Sequence, residues 1–102
     1  MRISEKRSFS QDEELSAKIL FSLARNRKWG ESHTAYENMF KYLRSEVFGK
    51  EGLKLAKNTA EDLFRQGYII KKPTHYGLQV SLNPRMSKQV KELVKKHIGF
   101  DL

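Results

Sequence analysis

Residues 68–83, which read YIIKKPTHYGLQVSLN, decide the fold of this chain. Residues 68–72 begin with aromatic and β-branched side chains, which favour strands. Residues 78–83 alternate strictly between apolar and polar side chains, as a half-buried strand does. The residues between them, 73–77, begin with Pro and end with Gly, which are both frequent in turns. The stretch therefore predicts a β-hairpin with a five-residue loop, residues 73–77.

Three helical segments precede this hairpin. A capping box formed by Ser10 and Glu13 predicts that the first helix begins near Ser10, after an N-terminal arm of residues 1–9. Gly30 is expected to end this helix. Its apolar residues recur at three- and four-residue steps, as in a helix with one buried face. They are Leu15, Ile19, Leu20, Leu23 and Ala24.

The second and third helices are marked in the same way. A second box predicts a helix from Thr34, which Gly49 ends, and its apolar face consists of Tyr36, Met39, Phe40, Leu43 and Val47. The third helix is predicted over residues 51–66, and Gly67 is a suitable stop residue. Its inner face consists of Leu53, Ala56, Ala60, Leu63 and Phe64.

A last helix follows the hairpin over residues 84–98, because Asn83 is a favourable N-cap and Pro84 suits the first helical position. Its narrow apolar stripe comprises Met86, Val90, Leu93, Val94, His97 and Ile98. This stripe has two possible uses. It covers the first helix within one chain, or it pairs with a second copy as an antiparallel coiled coil and makes a homodimer. A dimer would present two recognition helices roughly 34 Å apart and favour a palindromic site.

The charge of the chain favours a polyanionic partner. The 102 residues include 20 Lys and Arg against 12 Asp and Glu, which gives a net charge of +8. The excess is concentrated in the second half, where residues 52–102 hold ten basic and four acidic residues. Such an excess attracts nucleic acid, although many small proteins are basic for solubility alone.

Three helices followed by a hairpin form the element order of a winged helix-turn-helix. The sequence resembles the winged-helix domains of small archaeal DNA-binding proteins over residues 10–98. Two strings carry the narrower similarity, Lys28-Trp29-Gly30 with His33-Thr34, and residues 72–84. A short extended piece at residues 29–31 would supply the small first strand that is usual in this fold. The connection at residues 44–52 is longer than the tight turn of the simplest members.

The resemblance implies one domain of α+β class, mostly α. It would have a three-helix core at residues 10–67, a wing at residues 68–83 and a C-terminal helix at residues 84–98. It also implies binding of double-stranded DNA and a role in transcription regulation, and it brings no catalytic residues.

The third helix is the predicted reading element, because a major groove admits an α-helix. Its outer face and start offer Lys50, Lys54, Lys57, Asn58 and Arg65. Asn suits adenine, whereas Arg and Lys suit guanine or phosphate. Glu61 and Asp62 weaken this interpretation because they repel phosphate. The alternative is a solvated charged face with pairs such as Lys57 and Glu61 at four-residue spacing.

The hairpin supplies a second predicted contact. Lys71 and Lys72 lead to a tip that holds His75 and Tyr76. In winged-helix proteins such a tip commonly approaches the neighbouring minor groove or the backbone. We expect the two lysines to contact phosphates and His75 to contribute more at low pH. In the alternative interpretation, Tyr76 folds back onto the hairpin and the lysines protect its edge from aggregation.

Other basic and aromatic residues have weaker claims. Arg25, Arg27 and Lys28 either flank the DNA backbone or compensate the dipole of the first helix. A basic arm formed by Arg2, Lys6 and Arg7 either crosses the backbone or is a plain terminus. Trp29 is expected to be a core or hinge aromatic rather than a platform for bases.

Catalysis is not expected, because His33, His75 and His97 are isolated and no nucleotide-binding or zinc-protease motif occurs. The chain has no Cys, so no disulfide or Cys-ligated zinc is expected, and neither is a cofactor or metal. This composition suits a reducing cytoplasm, and residues 1–7 are not followed by an apolar signal core. The rival to DNA binding is a winged-helix module for protein–protein interaction, which the apolar stripe of the last helix favours.

Overall fold

A computed structural model describes residues 2–41, 43 and 49–102, and it describes side chains from Glu13 onward within these ranges. The chain is α+β and mostly helical, with one small antiparallel sheet, in agreement with the predicted class. The elements in chain order are α1 (Arg2–Arg25), β1 (Thr34–Ala35), α2 (Asn38–Lys41), α3 (Gly49–Arg65), β2 (Ile69–Thr74), β3 (Gly77–Leu82), a 3₁₀ turn (Pro84–Met86) and α4 (Ser87–His97).

The sheet has the strand order β1-β3-β2, so β3 lies in the centre. β2 and β3 form the predicted hairpin, with Ile69 opposite Leu82. On the other side, Thr34 of β1 lies opposite Val80. Trp29 adds an isolated bridge to Leu82, so the extended piece expected at residues 29–31 reaches the sheet. The regular short strand nevertheless lies later in the chain, at β1.

The first helix begins earlier than the capping box at Ser10 predicts. Its backbone is helical from Arg2, so most of the expected arm of residues 1–9 belongs to α1. The reason is that residues 2–25 contain neither Gly nor Pro, and an acceptable cap does not prevent a helix from continuing through it. The helix also ends before Gly30. Arg27 adopts a left-handed conformation at φ 58°, and the amide of Lys28 donates to the carbonyl of Leu23 at 3.0 Å, which closes the helix.

The second helix begins later than predicted. Thr34 is not its first residue, because Thr34 and Ala35 pair with β3 as a strand. The Thr34 hydroxyl instead accepts a 2.7 Å hydrogen bond from the side-chain amide of Asn38, where α2 begins. Val47 and most of the connection predicted at residues 44–52 lie outside the described residues. Gly49 opens α3 rather than only ending the helix before it.

The hairpin loop is shorter than the five residues predicted. Thr74 pairs with Gly77, so only His75 and Tyr76 form the turn. Pro73 lies within β2 opposite Leu78. The pairing is tolerated because β2 is an edge strand, where a missing amide can face away from the ladder.

α1 and α4 pack on one another over the sheet and α3 in a single core. Leu20 and Leu23 of α1 and Val90 and Val94 of α4 are all fully buried. The apolar stripe of the last helix is therefore used within one chain, which is one of its two predicted uses. The last helix, predicted over residues 84–98, is α-helical only over Ser87–His97, and Pro84–Met86 form the 3₁₀ turn before it. Asn83 caps that turn rather than α4, because its side chain accepts a 3.1 Å hydrogen bond from the amide of Arg85. No helix among the described residues is long and apolar enough to cross a membrane.

Candidate nucleic-acid interface

The exposed face of α3 carries all of the side chains predicted for base reading. Its buried face consists of Ala56, Thr59, Ala60 and Leu63. On the other side, Lys54, Asn58 and Arg65 recur at steps of four and seven residues and form one exposed stripe. Lys50, in the first turn, and Lys57, beside the stripe, are exposed as well. The five predicted side chains of α3 therefore reach solvent on one side of one helix.

Glu61 and Asp62 of α3 are both paired, and Glu61 does not form the pair with Lys57 that the alternative interpretation offered. The Glu61 carboxylate lies 3.6 Å from the ammonium of Lys71 in β2, and no ion pair between Glu61 and Lys57 is found within the described part of the chain. Asp62 is paired with Arg65 one turn further along. Lys57 is thus left without a carboxylate partner among the described residues, whereas Arg65 is engaged.

Lys71 connects the hairpin to α3. Its ammonium lies 4.6 Å from the centre of the Phe64 ring, in addition to its ion pair with Glu61. A cation over an aromatic face is attracted by the quadrupole of the ring. Both contacts fix β2 beside the second half of α3. They bring Lys71 beside the helix that carries the exposed cations Lys54 and Lys57.

Lys71 and Lys72 lie on opposite faces of the hairpin. Successive side chains of a strand alternate between the two faces of a sheet. Lys71 shares the face of buried Ile69 and contacts α3, whereas Lys72 shares the outer face with Ile70, which is 41% exposed. The hairpin therefore presents one cation on each face.

The tip of the hairpin is held by its own hydrogen bonds. The hydroxyl of Thr74 donates to the carbonyl of Gly77 at 2.8 Å and accepts from the amide of Tyr76 at 3.1 Å. Gly77 has φ 117°, a conformation that other residues rarely adopt. Tyr76 is 95% exposed, so it does not fold back onto the hairpin. His75, its neighbour in the turn, is also exposed.

An aromatic cluster packs α3, which carries the candidate interface, against the region of α2. The Tyr36 ring makes an edge contact with Phe40, with ring centres 5.1 Å apart, and lies 6.1 Å from Phe64. Burial raises the pKa of the Tyr36 hydroxyl, and the carboxylates of Glu61 and Glu37 raise it further. Tyr36 is therefore neutral at physiological pH. It joins the region of α2 to the helix that carries the candidate reading face.

The sequence did not predict that Glu61 and Phe64 hold the Lys71 side chain, Glu61 by an ion pair and Phe64 by its ring. Glu61 was expected to oppose phosphate binding, and Phe64 was expected only to fill the core. Neither residue is within one helical turn of Lys71 in sequence, so no local spacing rule predicts this contact. The signal that could have suggested it is the period of β2, which places Lys71 on the same face as buried Ile69.

The residues with weaker claims lie elsewhere. The guanidinium of Arg25 lies 5.6 Å from the centre of the Phe21 ring within α1. Trp29 is half-buried against the core, as expected for a core aromatic. Lys28 is half-buried and Arg27 is exposed at the end of α1. Arg2, Lys6 and Arg7 lie in α1, and their side chains are outside the described ones.

The histidines make separate contacts. His33 lies 3.2 Å from the side-chain oxygen of Gln79, and His97 lies 3.1 Å from Glu13. Among residues 13–41, 43 and 49–102, no group of three or more His, Asp or Glu side chains is arranged to hold a metal ion.

No protein-family model, curated protein or solved structure matches this chain.

Proposed function

We propose that this chain is a winged-helix domain that binds double-stranded DNA and acts in transcription regulation. The observation that carries the proposal is the attachment of the hairpin to α3 through Lys71, Glu61 and Phe64. It places Lys71 of the hairpin beside the helix whose outer face carries Lys54 and Lys57. The element order, the strand order β1-β3-β2 and the resemblance to archaeal winged-helix domains support the assignment of the fold.

In this proposal α3 enters the major groove, which is about 12 Å wide and accommodates an α-helix. Asn58 is suited to adenine, and Lys54 and Lys57 are suited to guanine or to phosphates at the rim of the groove. Lys50 contacts a phosphate near the start of the helix, where free backbone amides also attract anions. Arg65 first leaves its pair with Asp62. This exchange costs little, because exposed ion pairs are worth about 0–1 kcal/mol.

The hairpin holds the helix in register. Lys72 on its outer face and Lys71 on its inner face contact phosphates on either side of the hairpin, and His75 adds charge where it is protonated. Because the Lys71 ammonium already contacts Glu61 and Phe64, Lys72 is the more available of the two lysines for a phosphate contact. The hairpin contacts add affinity without sequence preference, whereas the α3 contacts supply discrimination between sites.

The alternative function is a protein-interaction module, and α4 leaves less apolar surface open to a partner than the sequence suggested. Val90 and Val94, in the middle of the stripe that favoured it, are fully buried inside the chain. A homodimer through α4 therefore needs contacts beyond this stripe, and it stays a prediction. Light scattering after size-exclusion chromatography measures the mass that distinguishes a monomer from a dimer.

The experiment that tests DNA binding is fluorescence anisotropy with a labelled duplex of random sequence at salt concentrations from about 50 to 200 mM. A protein with several phosphate contacts loses orders of magnitude in affinity over this range. Polyglutamate is the control competitor, because it carries negative charge without the phosphate spacing of DNA. Binding that is absent at the lowest salt, or that polyglutamate abolishes as efficiently as unlabelled duplex does, contradicts the proposal and favours the interaction module.

A further inference from the structure

The tip of the hairpin carries the most exposed large hydrophobic side chain among the described residues. Tyr76 is 95% exposed, whereas the next such side chain, Phe100, is 50% exposed. A single exposed apolar residue needs no explanation by itself. Tyr76 differs from the others because it is the end of a rigid, basic projection.

The rigidity follows from the turn. Thr74 bonds to both Gly77 and Tyr76, and the turn contains only two residues, so the backbone that carries the ring is already ordered. A ring on an ordered backbone loses little conformational freedom on binding, and such preorganisation improves affinity.

Lys72 is the cation that lies nearest to Tyr76 in the sequence. It lies two residues before Thr74, the last residue of β2, which corresponds to about 7 Å along an antiparallel strand. The same length spans about two base pairs of B-DNA. With Lys72 on a phosphate inside a duplex, the turn that carries Tyr76 would therefore lie about two base pairs further along.

We propose that Tyr76 stacks on the first unpaired base where a DNA duplex passes into a single strand, so that the domain prefers such junctions to uninterrupted duplex. This inference rests on the proposed function and specifies its substrate. Base–aromatic stacking tolerates any base and combines with cations that follow the backbone, which is the pattern of single-strand recognition. Insertion between paired bases costs a few kcal/mol of unstacking, and an unpaired base does not demand it.

The test compares the Kd of the intact protein for two DNAs, a blunt duplex and the same duplex extended by a single-stranded tail. The ratio of the two Kd values is the readout, because a general loss of affinity cancels in it. Wild type is expected to bind the junction about 5- to 150-fold more tightly than the blunt duplex, the equivalent of ~1–3 kcal/mol for one stacked base. A fluorescent adenine analogue at the first unpaired position should be quenched on binding.

Variants of Tyr76 and Lys72 separate the contribution of ring stacking from the contribution of charge to the affinity for DNA. Tyr76→Ala should bring the ratio close to one and remove the quenching, whereas Tyr76→Phe should retain both. Lys72→Ala is the control from the same hairpin and should weaken both complexes equally, which leaves the ratio unchanged. Because Tyr76 is almost fully exposed, we expect its variants to fold like wild type, and circular dichroism checks this.

Two results overturn the inference while the proposed function stands. One is salt-dependent binding of both DNAs by wild type with a ratio near one. The other is a Tyr76→Ala variant that keeps the wild-type ratio. Failure of wild type to bind either DNA contradicts the proposed function itself, and the inference then falls with it.

Discussion

α3 and α4 are both amphipathic basic helices, yet only α3 is proposed to read DNA. By charge alone the choice would be reversed. α3 carries four basic and three acidic residues, a net of +1, whereas α4 carries four Lys and one Glu, a net of +3 without its His. The total charge of a helix is therefore not the ground on which we propose α3 as the DNA-binding helix.

The surroundings of the two helices differ instead. α4 is a cover for α1, and its last lysines are paired, Lys95 with Asp101 at 2.8 Å and Lys96 with Glu13 at 3.7 Å. α3 borders the hairpin through Lys71 and exposes an amide, Asn58, in the middle of its outer face. Contacts to the DNA backbone fix the position of a reading helix, and the hairpin that can supply them packs beside α3.

The largest expected effect is on the covering role of α4. Val90→Ala together with Val94→Ala removes four buried carbon atoms, and at about 0.8 kcal/mol for each, plus a cavity term, the free energy of unfolding should fall by at least ~3 kcal/mol. Leu55→Ala in α3 is the control, because Leu55 is 49% exposed and should lose less than about 1 kcal/mol. Urea denaturation measures both. Similar losses for the two proteins would contradict the assignment of α4 as a core element.

The next effect concerns discrimination between DNA sites. Once a preferred site has been selected, Asn58→Ala should reduce the preference for it over random DNA by about 1–3 kcal/mol, the value of a true base contact. Gln89→Ala is the matched exposed amide on α4 and should leave the preference unchanged. Competition binding with the site and with random duplex gives the ratio. If both variants lose the preference to the same degree, α3 is not the reading helix.

The smallest effect separates the two lysines of the hairpin. Lys72→Ala and Lys71→Ala should each lower the slope of log affinity against log salt by about one unit for a lost phosphate contact. Lys71→Ala should also lower the free energy of unfolding by about 0.5–1 kcal/mol, because it removes the cation from the Phe64 ring. Lys72→Ala should not. Equal unfolding curves for both variants would show that Lys71 does not hold the hairpin against α3.

The elements with strong local signals are those that sequence predicted well. Residues 51–66 and the structural helix Gly49–Arg65 agree within two residues, because apolar spacing and Gly67 both mark that helix. The Asn83 cap was predicted because its hydrogen bond is local. The exposure of the predicted α3 side chains followed from the same periodicity.

Two of the departures from prediction occurred where a partner from another element decided the local structure. Thr34 resembles a helix cap, but pairing with Val80 makes it a strand residue. Residues 73–77 resemble a loop, yet register with β3 extends β2 to Thr74. The pair of Lys57 and Glu61, given as the alternative to a reading face, obeys a helix spacing rule, but Glu61 pairs instead with Lys71 of β2. The contacts of Thr34 and Glu61 join separate elements, whereas the pair of Thr74 and Gly77 is local and was missed because Pro73 and Gly77 are both typical of loops.

The most direct test of the account removes two lysines from α3 in one variant and two lysines from α4 in another. Lys54→Ala with Lys57→Ala on α3 is compared with Lys88→Ala with Lys91→Ala on α4, and all four lysines are exposed. The affinity for duplex DNA is measured by anisotropy across the same salt range. The account predicts that the α3 variant lowers the salt slope by about two units and the α4 variant leaves it near the wild-type value. A larger loss from the α4 variant, or equal losses from both, would contradict the claim that α3 and the hairpin form the DNA-binding surface.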